Sequence, residues 1–420
     1  MKVLIQQARI IDPSSPQHDQ IQDILIDSGK IVKIAPRIDD PADHLINEEG
    51  ICISPGWLDI FSHFNDPGYE QKETLETGSR AAAAGGFTHV MLLPNTKPVV
   101  DNKSLVEYIV TKSQQLDVTL LPIGAISKNT EGRELAEMYD MKASGAIAFS
   151  DGNRPVQSSG LLLKALQYIK AFDGVIIQIP DDQTIGTSGL VHEGIISTQL
   201  GLPGKPMMAE ELMVARDIKL ARYAESKLHF TGISSPRSLE YIRRAKEAGL
   251  SVTCSVTPHH LYFSDSDLSS YDTNLKVYPP LRTSTEIAAL KTAIIDGTVD
   301  CIASHHLPQE SDSKNLEFEY ARFGCIGLET VYPALKTAMP EVSEERWVTL
   351  LSINPRKIFG LDSISIQEGK TACLSIFKPG GTTLLQASQL YSRSGNSPFL
   401  NLPLKGSVCG IINGERLFLK

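Results

Sequence analysis

The 420-residue chain contains no run of about 18 consecutive apolar residues, the length a helix needs to cross a bilayer. Its opening segment, Met1 to Ile11, has one early Lys and lacks the long apolar core of a secretion signal. Neither membrane insertion nor export is expected, so the protein reads as cytoplasmic. Positive charge is also short. Forty Lys and Arg stand against 49 Asp and Glu, a net charge of −9, which disfavours general affinity for nucleic acid or an anionic membrane and points to small molecules or proteins as partners. Cysteine is sparse: the six residues at 52, 254, 301, 325, 373 and 409 include no CxxC pair, which excludes a metal knuckle or disulfide frame and suggests buried reduced thiols. No fixed-period repeat or low-complexity tract is present, so solenoid and linker architectures fall away.

What is present fits an ordinary globular protein, with 41% hydrophobic and 21% charged residues. The length accommodates a barrel of about 250 residues plus a smaller module. Both ends read as short strands. Lys2–Ile5, Ile24–Ile26 and Lys30–Ile34 are separated by Asp-Pro, Ser-Ser-Pro and Ser-Gly turn signals, and Ala372–Phe377 and Val408–Asn413 close on Asn413-Gly414, a hairpin signal. One small β-sandwich domain is therefore expected from residues 1–53 and 365–420.

Between them, apolar runs alternate with amphipathic stretches. The runs are Trp57–His63, Phe87–Leu93, Val118–Gly124, Gly145–Phe149, Gly174–Ile179, Lys227–Ile233, Ser251–Val256 and Val299–Ala303. Eight such runs are the number of a (β/α)8 TIM barrel, an α/β fold, here over residues 54–364. Helical patterns lie between them. Glu210 to Glu225 places Leu212, Ala215, Ile218, Leu220 and Ala221 on one face, and a second helix opens at Ser234-Ser235-Pro236, turns Leu239, Ile242 and Ala245 inward and ends at Gly249.

Chemistry in such barrels sits at the carboxyl ends of the strands. Here those ends carry His63 and Asn65, Asn95, Ser127, Asp151, Gln178 and Asp181, Gly232 and Ser234, His259 and His260, and His305 and His306. Several of the ten histidines thus fall on one rim, which argues for a present or former polar site. Structural roles are the alternative for individual members: His259 and His260 packing under the rim, Asp151 capping backbone donors in its Ser-Asp-Gly turn, and His192 tethering a loop.

The run from Ser54 to Gly68, SPGWLDIFSHFNDPG, resembles the signature of dihydroorotases, cyclic-amide hydrolases of the amidohydrolase superfamily. The resemblance continues through Lys72-Glu73-Thr74, Leu93-Pro94-Asn95-Thr96, His192-Glu193-Gly194, Thr257-Pro258-His259-His260-Leu261, Pro279-Pro280-Leu281-Arg282 and Gly327-Leu328-Glu329-Thr330, and so spans nearly the whole chain. It implies a barrel of the amidohydrolase type, a homodimer, and in active members one or two zinc ions that activate water and polarise a cyclic amide carbonyl.

By family position, the expected ligands are mostly replaced. His63 is retained from the first-strand His-x-His, but its partner is Phe61, which has no lone pair to offer. Asp151 is retained as an acidic ligand. Gln178 and Gly232 stand where two further histidines belong, and His305 stands at the general base, normally an Asp. Among substrate-binding positions, Asn95 remains, whereas Asn65 replaces a carboxylate-binding Arg and Tyr278 replaces an Asn; a lost Arg contact costs about 1.5–3 kcal/mol.

The family's two-zinc centre is therefore not expected; the cofactor is none or a single zinc. The resulting expectation is a dihydroorotase-like protein of pyrimidine biosynthesis that lacks dihydroorotase activity and acts as a non-catalytic partner of aspartate transcarbamoylase. One alternative is an active dihydroorotase or hydantoinase-like enzyme with a single-metal site rebuilt from His63, Asp151 and His305. Another is a metal-free module that keeps a pocket for a cyclic amide or orotate-like anion around Asn95.

Overall fold

The computed structural model describes residues 1–420. All eight apolar runs of the middle segment become parallel barrel strands, in sequence order: Trp57–Ser62, Phe87–Leu92, Thr119–Gly124, Ala148–Phe149, Val175–Gln178, Lys227–Phe230, Val252–Val256 and Cys301–Ile302. The first and eighth close the ring. His63 N donates to His306 O at 2.8 Å, while the buried Asp59 accepts from Ser304 N at 2.7 Å and from the hydroxyls of Ser62 and Ser304.

All eight strands are shorter than the apolar runs, and the fourth, sixth and eighth lose three residues each. Gly145 has φ +114° and belongs to the turn leaving helix Met138–Ala143, so pairing starts only at Ala148. Val299 donates back to Ala293 O, which ties it to the end of helix Ser284–Asp296, and the eighth strand starts at Cys301.

The barrel interior is filled by apolar side chains including Leu58, Ile60, Phe61, Met91, Ile123, Ile177 and Ala303. Phe61, 2% exposed, is thus part of the filling as well as of the rim. A helix outside the barrel, Met208–Ala224, departs from the expected face. Met213, Val214, Asp217, Ile218 and Ala221 are buried, whereas Leu212 is 48% exposed, and Ala215 and Leu220 are only half-buried. The face is set by two acids. Glu210 accepts from Ser234 N and Ser235 N at the sixth-strand loop, and Asp217 faces Gln178. Such buried polar pairs are invisible to an apolar periodicity. The next helix, Pro236–Glu247, begins at the Ser235 cap with Leu239, Ile242 and Ala245 buried as expected.

Both chain ends join in one mixed sheet of eight strands. Residues Lys2–Ile10 lie between Ile21–Asp27 and Cys52–Pro55, and the latter pairs with Cys373–Leu384 and onward to Pro403–Asn413 and Arg416–Leu419. The expected hairpin at Asn413-Gly414 joins the last two, with Gly414 at φ +62°. Trp57 fastens this sheet to the barrel base: its ring is fully buried against Tyr332 and Phe377, with centroids at 5.4 and 5.3 Å. Its indole N–H donates to Ser54 Oγ at 2.9 Å, so the polar edge is satisfied. All six cysteines are free thiols, five of them buried.

Candidate functional site

A cavity of about 680 Å³ opens at the carboxyl end of the barrel. Its wall contains His63, Asn65, Asn95, Asp181, His259 and His305, six of the thirteen rim residues read from the sequence, together with Phe61 and Tyr278. Asp151, Gln178 and Gly232 do not reach the wall.

The reason differs at each position. Asp151 is fully buried, and both carboxylate oxygens face the third-strand loop: Oδ1 accepts from Ile126 N and Ser127 N at 2.9 Å each, and Oδ2 accepts from Ser127 Oγ. It is a loop cap. Burial nevertheless lifts its pKa to about 6, against the lowering effect of those three donors. Gln178 turns outward, where its Nε2 approaches Asp217 and its Oε1 accepts from Val156 N. Gly232, at φ +70°, leaves room that the His305 ring occupies. That ring lies on Phe61, with centroids 4.7 Å apart, and its Nε2 is bonded to Thr231 Oγ1 at 2.8 Å.

Three more imidazoles are engaged in the same way. Asn153 Nδ2 donates to His63 Nε2 at 2.9 Å, which occupies the lone pair of that nitrogen. His229 bonds Thr253 and Ser255 through its two ring nitrogens, and His260 bonds Thr257 Oγ1 and Pro279 O. Desolvation pushes His63 and His260 down to about 4 and His229 and His305 down to about 3, so all four rings are neutral at pH 7. As expected, His192 is a tether: its Nδ1 meets Arg282 Nη1 at 3.0 Å.

Nowhere do three His, Cys, Asp or Glu side chains gather in a metal-holding arrangement. The trio His63, Asp151 and His305 proposed from sequence for a rebuilt site does not converge, because Asp151 is spent on backbone donors and the two imidazole nitrogens on Asn153 and Thr231. Zinc takes four ligands, at least three of them from the protein in a catalytic site. The donor set in this cup does not fit it.

Several wall residues escaped the sequence reading. Asn153 matters because it follows Asp151 on the same loop. Lys205 forms a buried ion pair with Asp181 at 2.9 Å, and Lys72 donates to Gln309 Oε1 at 2.9 Å. Glu73, also missed, sits behind the rim: it accepts from Ser392 and Arg393 N and lies 3.5 Å from His306, holding the terminal segment against the barrel. Pairings between residues this far apart leave no trace in local pattern.

A closed (β/α)8 barrel, with its site at the strand carboxyl ends and a sheet built from both termini, defines an amidohydrolase-type protein. The family model described as Dihydro-orotase-like matches residues 50–238. The chain is 39% identical to a dihydroorotase of Geobacter metallireducens over the full length of both, and 40% identical to a dihydroorotase of Syntrophus aciditrophicus over 97% of each. Among solved structures it superposes on L-hydantoinase from Arthrobacter aurescens with a TM-score of 0.87 at 24% identity, covering 100% of this chain and 96% of that one. This chain belongs to the dihydroorotase family. The hydantoinase likeness, at that identity, speaks to the fold alone.

Proposed function

We propose that this dihydroorotase-family protein of pyrimidine biosynthesis does not itself hydrolyse dihydroorotate and serves as a non-catalytic partner of aspartate transcarbamoylase, as a homodimer. One observation supports the first half: both carboxylate oxygens of Asp151 and the Nε2 atoms of His63 and His305 are taken up by hydrogen bonds within the protein. Without a metal to lower the pKa of water and polarise the amide carbonyl, opening a cyclic amide loses the main source of its rate. His305 offers no replacement base, since its Nε2 is held by Thr231 and its ring is stacked on Phe61. The second half rests on family analogy, since a barrel can keep its outer surface for docking after its cup has lost its chemistry.

The test is turnover of dihydroorotate by the purified chain, with and without added zinc, alongside co-purification with aspartate transcarbamoylase and assay of that enzyme alone and in the complex. We expect no turnover above background, a stable complex and raised transcarbamoylase activity. Dihydroorotate hydrolysis at a rate of about 1 per second or faster would overturn the non-catalytic reading. A chain that never associates with the transcarbamoylase would overturn the partnership.

A further inference from the structure

Outside the cup, two neighbouring segments turn apolar side chains to solvent. Tyr320 is 71% exposed, Leu316 45% and Tyr271 44%. They belong to one surface. The Tyr271 ring lies 6.5 Å from Phe318, the buried residue midway between Leu316 and Tyr320, and the Tyr271 hydroxyl donates to Leu200 O at 2.9 Å. None of the three lines the cavity.

Two buried lysines hold this surface rigid. Lys276 Nζ donates to the carbonyls of Phe318 and Glu319 at 2.6 and 3.0 Å and stands over the Phe318 and Phe323 rings at 5.4 and 4.9 Å. Lys314 Nζ donates to the carbonyls of Thr273, Arg322 and Gly324, and Thr273 Oγ1 donates back to Lys314 O at 2.7 Å. Five main-chain carbonyls thus tie the two segments together, so little conformational freedom is left to lose when a partner arrives.

The charge of the surface is one-sided. Residues 265–272 and 310–320 carry seven Asp and Glu against one Lys, a net −6 within a chain of net −9. Asp267, Asp312, Glu317 and Glu319 are exposed, and none of them forms a salt bridge. The nearby lysines do not neutralise them, because both ammonium groups are spent on carbonyls, and Arg322 lies on the cavity wall. Exposed tyrosines and a leucine rimmed by unpaired charge have the anatomy of an interface, and charge of one sign selects a partner of the other. Nucleic acid and anionic lipid are repelled from such a face.

We infer that this face is a docking surface for a positively charged partner protein, with Tyr271, Leu316 and Tyr320 making its apolar contacts and the surrounding carboxylates meeting the partner's Lys and Arg side chains. The assignment is independent of the reading of the cup.

Calorimetric titration of the full chain with a capped 14-residue peptide of Lys and Leu tests it, with a Lys and Ser peptide of equal charge, a Glu and Leu peptide, and spermine as controls. The Lys and Leu peptide is expected to bind one per chain, about 10-fold or more tighter than any control, and to weaken as salt is raised. Glu317→Lys combined with Glu319→Lys should weaken it about 10-fold or more, and Tyr320→Ser should weaken it too. Glu49→Lys combined with Glu415→Lys changes the net charge equally at exposed sites in the terminal domain and should alter affinity by less than about 2-fold. No binding up to about 1 mM, equal affinity for spermine or the Lys and Ser peptide, or undiminished binding in the Glu317 and Glu319 double variant or in Tyr320→Ser would overturn the inference. Dimerisation of the chain that is lost in Tyr320→Ser would also overturn it, by giving the face to a second copy.

Discussion

A Cβ placed on Gly232 would lie 2.7 Å from Cε1 of His305, closer than real Cβ contacts come. The two positions are adapted to each other. Gly232 sits at φ +70° and His305 at φ +47°, and the imidazole occupies the space that a side chain on the sixth strand would need. A left-handed backbone costs a non-glycine residue about 1–2 kcal/mol, and overpacking adds about 1–3 kcal/mol. Gly232→Ala should therefore destabilise the protein by about 2–5 kcal/mol in denaturant unfolding, and adding His305→Ala should recover the packing part. Strict additivity of the two substitutions would show that the ring does not fill that space.

Asp151 is assigned here as a cap rather than as a ligand, and the two roles predict different losses. Asp151→Ala strands two backbone N–H groups and one hydroxyl of the third-strand loop, at about 1–3 kcal/mol per unsatisfied group. A drop in thermal stability with no change in the metal content of the purified protein is expected. Loss of bound zinc in the variant, relative to a zinc-loaded parent, would return Asp151 to the list of ligands.

Lys314 provides a pH test. Desolvation pushes its pKa down from 10.5 to about 8, even though its ammonium donates to three carbonyls, those of Thr273, Arg322 and Gly324. The unfolded chain then holds more protons than the folded one between pH 8 and 10.5, so this residue's contribution to stability rises with pH across that window and is flat below it. Wild type should gain on Lys314→Met as pH goes from about 8 to about 10, read as the difference in denaturation midpoints; a constant difference would remove the assignment.

The barrel was legible because its signals are local: eight apolar runs, Pro and Ser at helix starts, Asn413-Gly414 at the last hairpin. Each is written within a few residues of where it acts. Family position also located the cup, since Phe61, His63, Asn65, Asn95, Tyr278 and His305 do line one cavity. Side-chain direction was not legible. Asp151 and Gln178 occupy rim positions but turn their polar atoms to Ser127 and Asp217, a choice made by loops and helices some 24 to 39 residues away. The misassigned face of helix Met208–Ala224 has the same origin, because Glu210 and Asp217 are buried by distant donors that no hydropathy count includes. Lys72, Gln309 and Arg322 entered the wall unnoticed for that reason too.

Rebuilding the metal centre is the sharpest check on the assignment of the cup, and it should fail in steps. Phe61→His restores one ligand beside His63 but places an imidazole in the apolar filling of the barrel, so stability should fall by about 1–3 kcal/mol and zinc should stay far below one per chain. Adding Gln178→His supplies a third donor only if that side chain turns inward, away from Asp217. Gly232→His cannot be accommodated until His305 is shortened, because the ring stands where the new Cβ must go. Stoichiometric zinc, measured by elemental analysis, is therefore expected only in the variant that combines Phe61→His, Gln178→His, Gly232→His and His305→Asp. Zinc at one per chain in Phe61→His alone would mean that His63 and a neighbour release their present partners far more readily than their short hydrogen bonds suggest.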